Sequence, residues 1–233
     1  MNILQQAQDT ILFVRQRSDE CIVFNSFGKD SLVTLDLVAP HFRRVVCVFM
    51  YFVPNLEHIE RFIQSSLCRY NNVEIMQMPH WNLSYIHRNG MYCLPNPKQK
   101  LSSLVKSVEY AMNATGIESV FLGMKKADSM NRRLMLNTYE NDHYTATNKS
   151  RPSAVWAYPI ATWTHKEVLA YMRQKRMPTP IRYGGKNSGG VGFNEERLLW
   201  MEQNAPADLE RVYMEFPLSR RILFEYHYKH DNI

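Results

Sequence analysis

Ser26-Phe27-Gly28-Lys29-Asp30-Ser31 is the stretch of this sequence whose residue types and spacing could do chemistry. Two hydroxyls, Ser26 and Ser31, bracket a glycine, a lysine and an aspartate. Gly28 has no Cβ, so the backbone there can come close to a bound group. If a helix starts here, its first N–H groups have no intrahelical partner. Those amides and the helix dipole favour an anion, which makes the loop, Phe27 included, a phosphate cradle. Lys29 adds a compact positive charge on a flexible stem. Asp30 would repel phosphates unless a cation lay between them, and a bridging Mg²⁺ is the partner its charge calls for.

Such a loop works only if a buried strand and a helix hold it. Cys21-Ile22-Val23-Phe24 is a short apolar run directly before it, and the helical pattern from Leu32 to Val38 follows. Further along, Val45–Phe52, Val73–Met76, Ser119–Leu122 and Val155–Ile160 read as strands. Residues 2–19, a stretch opened by Pro54-Asn55 and running to Leu67, Leu101–Thr115 and a Thr164-capped stretch to Arg173 read as helices. Short apolar strands alternating with helices specify βαβ units. The expected fold is therefore α/β, a doubly wound, mostly parallel five-stranded sheet flanked by helices. Residues 79–100 and 137–153 read as loops, and 178–192 as a Pro- and Gly-rich connection. The tail from Asn194 reads as two or three helices broken at Pro206 and Pro217. On this basis the nucleotide-binding domain spans 1–192, and 193–233 is a helical extension packed on it or at a homodimer interface.

With those elements in place, the sequence resembles the phosphoadenosine-phosphosulfate (PAPS) reductase family of the PP-loop ATP pyrophosphatases, also called adenine nucleotide alpha-hydrolase-like proteins. S-F-G-K-D-S after the first strand is similar to their PP-loop. Gly123-Met124-Lys125 with Ser129 and Arg132 resembles the block G-x-R-x3-S-x2-R, with Lys replacing the first Arg. Pro159-Ile160, Trp163-Thr164, Glu167-Val168 and Tyr171 match the block P-[IL]-x-x-W-[ST]-x-x-[DE]-V-x-x-Y, and Pro178, Pro180 and Tyr183 resemble the turn after it. The resemblance covers about residues 20–190. It implies a bound adenine nucleotide, ATP or PAPS, at the switch point of the sheet. Ser26, Phe27, Gly28, Lys29, Asp30 and Ser31 would hold phosphate, with Gly123 and Ser129 in the second cradle and Mg²⁺ reaching Asp30 through the phosphates. Lys125 and Arg132 would close on the phosphate or sulfate end. The 159–171 block would be architectural, its aromatics packing in the core.

The departures from the family matter as much. The family's carboxy-terminal E-C-G-[IL]-H-type segment, whose Cys attacks sulfur, has no match: the last cysteine is Cys93. Cys21, Cys47, Cys68 and Cys93 are spaced by 26, 21 and 25 residues with no C-x-x-C pair, so neither an iron–sulfur cluster nor a zinc site is expected. The expected function is thus ATP- and Mg-dependent cleavage of the α–β phosphate bond with adenylyl or sulfur transfer, not ordinary PAPS reduction. Lys29, Asp30, Lys125 and Arg132 would carry it by positioning and charge stabilisation. Cys93, in the 79–100 loop near His87 and Arg88, is the cysteine placed where a nucleophile could be, provided its pKa were lowered. His80 and His87 read as surface or hydrogen-bonded side chains. Ser188-Gly189-Gly190-Val191-Gly192 follows no strand and reads as a loop.

Composition bounds the partners. Of 233 residues, 28 are Lys or Arg and 22 Asp or Glu, a formal +6. That balance suits nucleotides and leaves a second reading open, a regulatory or nucleic-acid-binding module with a nucleic-acid or protein acceptor. The Lys125-Lys126 and Arg132-Arg133 cluster reads by itself as a solvated face. The longest apolar run, Val45–Val53, is far below the roughly 20 residues of a membrane span. The start lacks a basic segment followed by an apolar one, so a cytoplasmic protein is expected.

Overall fold

The computed structural model describes residues 2–148, 151–183 and 194–230. Its sheet is built from β1 (Glu20–Phe24), β2 (Arg44–Tyr51), β3 (Val73–Pro79), β4 (Ser119–Leu122), β5 (Thr145–Asn148) and β6 (Arg151–Ala157). The strands lie in the order β3-β2-β1-β4-β6-β5. β1 pairs in parallel with β2 and β4, and β4 with β6, whereas β5 pairs antiparallel with β6. The central strands β1, β2 and β4 are apolar after their first residues (Glu20, Arg44 and Ser119) and buried along 21–24, 45–49 and 119–122, as a parallel sheet under helices requires. Cys21 and Cys47 are part of that core, as expected from the sequence.

The strand order marks where a ligand site is expected. From β1 the chain builds outward through β2 and β3, then returns to add β4 on the other side of β1. Between β1 and β4 the order reverses, and the loops leaving the carboxyl ends of these strands form the crevice where open α/β sheets take ligands. These are the segments 25–28 and 123–129.

The sheet has six strands rather than five. Thr145-Ala146-Thr147 was too polar to read as a strand, but an edge strand needs only a partner and one covered face. Thr145 is the residue that turns inward. The helix α6 (Met130–Asn137) ends where the expected 137–153 loop begins, and a 3₁₀ turn at Glu140–Asp142 occupies more of that loop. Likewise α4 (Leu83–Asn89) lies within 79–100, closed by Gly90 in the left-handed conformation at φ 68°. The first helix, α1 (Ile3–Arg15), stops short of 19 because the Ser18 hydroxyl bonds the Glu20 backbone and turns the chain into β1. β6 ends at Ala157, earlier than expected. The remaining helices are α2 (Lys29–Val38), α3 (Glu57–Leu67), α5 (Leu104–Thr115), α7 (His165–Gln174), α8 (Glu195–Asn204), α9 (Pro206–Glu215) and α10 (Arg220–His230). No helix among the described residues is long and apolar enough to cross a membrane.

The chain forms two compact units. The first comprises Met1–Phe49, Leu67–Gln77 and Val108–Thr179, and holds most of the sheet. The second comprises Met50–Ser66, Met78–Ser107 and Pro180–Ile233. Within the second, Leu198, Met201, Leu209, Val212, Phe216 and Leu223 of the C-terminal helices share a core with Phe52, Leu56 and Ile86. The C-terminal helices therefore bury their apolar faces against chain from the 50s and 80s. Met214, Phe224 and Tyr228 remain exposed.

In the first unit the 159–171 block is architectural. Trp163 is buried and donates from Nε1 to the Ile3 carbonyl at 3.2 Å. Thr164 and Glu167 form a reciprocal capping box on α7. The Tyr171 and Tyr70 hydroxyls both donate to the Asp36 carboxylate, at 2.9 and 2.8 Å, joining α7 to α2.

Candidate functional site

The cradle is shaped by the end of β1. Asn25 prolongs the strand, its N–H donating to the Val48 carbonyl at 2.9 Å. Its side-chain oxygen then accepts from the Phe27 N–H at 2.7 Å, an Asx turn that reverses the chain. Phe27, not Gly28, adopts the left-handed conformation, at φ 55°. Its buried ring meets Phe49 edge-on at 5.7 Å, and that packing supports the strained backbone.

Gly28 has an ordinary φ of −79° and is the N-cap of α2, making no side-chain cap. Helix α2 starts at Lys29, three residues earlier than its apolar pattern. No side chain of its N-cap therefore takes up the first-turn amides, which an anion can use. A Cβ at Gly28 would sit 3.4 Å from Ser26 Oγ. Ser26 is exposed and Ser31 buried, their hydroxyls 3.3 Å apart across the loop, and Ser31 donates to the Gly28 carbonyl at 3.0 Å.

Gly123 is glycine for a different reason. A Cβ there would lie 2.9 Å from Thr34 Oγ1 and 3.2 Å from the Asp30 carbonyl group. The end of β4 thus packs directly on the first turn of α2, which brings the second loop to the cradle. In that loop Lys126 donates its N–H to the Ala161 carbonyl at 2.8 Å. Ser129 caps α6 by accepting the Arg132 N–H at 3.2 Å.

The charged side chains form one alternating chain. Lys29 Nζ donates to Asp30 Oδ2 at 2.6 Å, and Asp30 Oδ1 lies 3.1 Å from Lys125 Nζ. That oxygen is buried without a partner in hydrogen-bonding geometry. Lys125 Nζ also pairs with Asp128 Oδ1, and Arg132 donates to Asp128 Oδ2 at 2.6 Å. The Lys125 side chain is 0% exposed, while that of Arg132 is 45% exposed. Burial raises the Asp128 carboxyl pKa, but hydrogen bonds from Lys125 and Arg132 outweigh it and hold the group below the usual range. Lys126 is pinned by Glu140 at 3.1 Å and stands over the Tyr144 ring. Only Arg133 and Arg132 of the basic cluster face solvent, so the cluster is not a uniform solvated face.

All ten cradle residues expected from the sequence lie in these two loops and the starts of α2 and α6, within the first unit. Asp128 was missed. Its signal was its spacing, three residues after Lys125 and four before Arg132: a turn closed by the Asp128 N–H on the Lys125 carbonyl at 3.1 Å sets it beside Lys125, and the start of α6 brings Arg132 round to it. Among the described residues no group of three or more His, Cys, Asp or Glu side chains is arranged to hold a metal ion.

Cys93 belongs to the second unit and is buried in its core. Burial, and secondarily the charge of Glu215, push its thiol pKa up, the opposite of what a nucleophile needs. His87 Nδ1 lies 3.6 Å away. His80 is half-buried, its Nδ1 accepting from the Asn82 N–H at 3.1 Å, and burial lowers its pKa to about 4. Tyr183 closes another cluster that the sequence did not disclose. Asp208 accepts from the Glu57 and His58 N–H groups at 2.8 and 2.9 Å, capping α3, and from His58 Nδ1 at 2.6 Å. Nε2 of His58 then accepts from the Tyr183 hydroxyl at 3.1 Å. The glycine-rich stretch 188–192 lies outside the described residues.

The fold is α/β, and an Asx-turned loop over an uncapped helix start is faced in it by a second loop bearing Lys and Arg, an arrangement whose chemistry suits an anion. The chain belongs to the phosphoadenosine phosphosulfate reductase domain family, which it matches over residues 20–183. Among solved structures it is similar to the PAPS reductase of Candida auris in its phosphate complex, at 13% identity and a TM-score of 0.48, over 74% of this chain and 81% of that one. It is also similar to the U34-tRNA thiolase NcsA of Methanococcus maripaludis with its [4Fe-4S] cluster, at 12% identity and 0.46, over 93% and 78%. A third is the NMN synthetase of Francisella tularensis, at 13% and 0.46, over 95% and 96%. No curated protein sequence matches the chain.

Proposed function

We propose that this protein binds ATP with its phosphates in the 26–31 cradle, cleaves the α–β bond and transfers the adenylyl group to an acceptor. The observation that carries the reading is the uncapped start of α2, flanked by the Ser26 and Ser31 hydroxyls and linked through Asp30 to Lys29, Lys125 and Arg132. In this reaction a lone pair of the acceptor forms a bond to the α-phosphorus. The bridging oxygen leaves with the bonding electrons on pyrophosphate, and the acceptor's proton passes to water. The chain itself needs to do little covalent chemistry. Backbone amides and Lys29 hold the phosphates, and Arg132, partly in solvent, meets the charge that grows on pyrophosphate.

Mg²⁺ entering with the nucleotide would add further charge neutralisation. Asp30 fits it: Mg²⁺ is commonly held by one or two carboxylates together with substrate phosphates, and Oδ1 of Asp30 is buried without a hydrogen bond. Adenylyl transfer is favoured over thiol-based sulfur reduction because Cys93 sits in a setting that suppresses its thiolate. Isothermal titration with ATP, AMP and PAPS, each with and without Mg²⁺, tests the reading. ATP with Mg²⁺ is expected to bind in the micromolar range. Binding no tighter than millimolar for all three would refute it.

A further inference from the structure

Asp128 occupies the donor set that a phosphate would use. Its two oxygens take a backbone N–H from Lys125 at 3.1 Å, the buried Lys125 ammonium, and the Arg132 guanidinium at 2.6 Å. An amide, a lysine and an arginine converging on one anionic group are the usual protein partners of a phosphoryl group. Here a carboxylate of the chain already fills the place, with its side chain only 13% exposed. Around the cradle three cations, Lys29, Lys125 and Arg132, are balanced by two carboxylates, Asp30 and Asp128, so most of their attraction for anions is already spent.

We propose that Asp128 is a specificity-determining residue, an internal competitor that phosphate must displace from Arg132 and Lys125. A ligand that releases this carboxylate leaves a negative charge near its own phosphates. A polyphosphate accompanied by a divalent cation can compensate that charge, and a metal-free monophosphate or sulfate ester cannot. The site therefore discriminates for Mg²⁺-complexed polyphosphates. This inference rests on the phosphate-cradle reading above and adds to it the class of ligand the cradle accepts.

The test is calorimetric titration of the wild type, Asp128→Asn and Asp128→Glu with inorganic pyrophosphate and with ATP, each with and without Mg²⁺ at fixed salt. Asn keeps the volume and one acceptor but removes the charge, and Glu keeps the charge. Asp128→Asn is expected to bind metal-free pyrophosphate about tenfold more tightly than the wild type, as removal of one nearby like charge allows. Its gain on adding Mg²⁺ should shrink, and Asp128→Glu should behave as the wild type. If the wild type binds ATP but Asp128→Asn binds pyrophosphate no more tightly, the inference is overturned and the cradle reading stands. If none of the three proteins binds ATP or pyrophosphate, the cradle reading falls and the inference with it.

Discussion

Replacing Gly123 by alanine tests whether the close approach of β4 to α2 is what assembles the site. The new methyl would meet Thr34 Oγ1 at 2.9 Å and the Asp30 carbon and oxygen at 3.2 Å. Thr34 cannot swing away cheaply. It is fully buried, β-branched, and its hydroxyl donates to the Asp30 carbonyl at 2.9 Å. The other neighbour is helix backbone, so relief requires the first turn of α2 to move. Such overpacking costs about 1–3 kcal/mol. The displaced turn carries Asp30 and the cradle amides, so nucleotide affinity should fall along with stability. Urea unfolding and ATP titration measure the two effects. Thr34→Ala alone loses one hydrogen bond, about 1 kcal/mol. In the Gly123→Ala/Thr34→Ala double variant the nearest clash is gone, so the combined loss should be smaller than the sum of the single losses. A Gly123→Ala protein as stable as the wild type, with unchanged ATP affinity, would refute the packing argument.

Two further predictions concern groups outside the cradle. Cys68 is exposed, Cys21 and Cys47 are buried with thiols raised by desolvation (Cys47 to about 12), and Cys93 is buried and raised as well. Thiol labelling of the folded protein should therefore show one fast site, lost in Cys68→Ser; a second fast site mapping to Cys93 would overturn the view of it as a core thiol. Burial holds His80 to about 4 against its ordinary 6.5, so between those values the unfolded chain binds the extra proton. Stability should accordingly fall as pH drops from 6.5 towards 4, less steeply in His80→Gln, and equal slopes in urea-unfolding series would contradict the assignment.

What the sequence disclosed and what it hid follow from how local each feature is. Ser26 to Ser31 are consecutive, so a strand, a turn and a helix start place them together without help from distant chain. Thr164 and Glu167 lie three apart and form the capping box on the same grounds. Asp128 stands at readable spacings from Lys125 and Arg132. Its importance depends on Lys125 reaching Asp30, though, and that contact exists only because β4 inserts beside β1. The left-handed turn falls on Phe27 because Asn25 folds back on its N–H while Phe49 receives the ring, a conformation the neighbouring glycine would have been expected to take. Strand β5 escaped notice because Thr145 and Thr147 carry no apolar periodicity, and pairing with β6 supplies what composition does not. Asp208 is about 150 residues from the helix it caps, a separation at which local pattern is silent.

The most direct measurement of the central claim is a crystal structure of the protein with ATP and Mg²⁺. The account predicts phosphates bound against the amides of residues 28–31, with Lys29 and Arg132 on their oxygens and Asp128 released from Arg132. A nucleotide whose phosphates lie away from that loop, with Asp128 still joined to both cations, would contradict it.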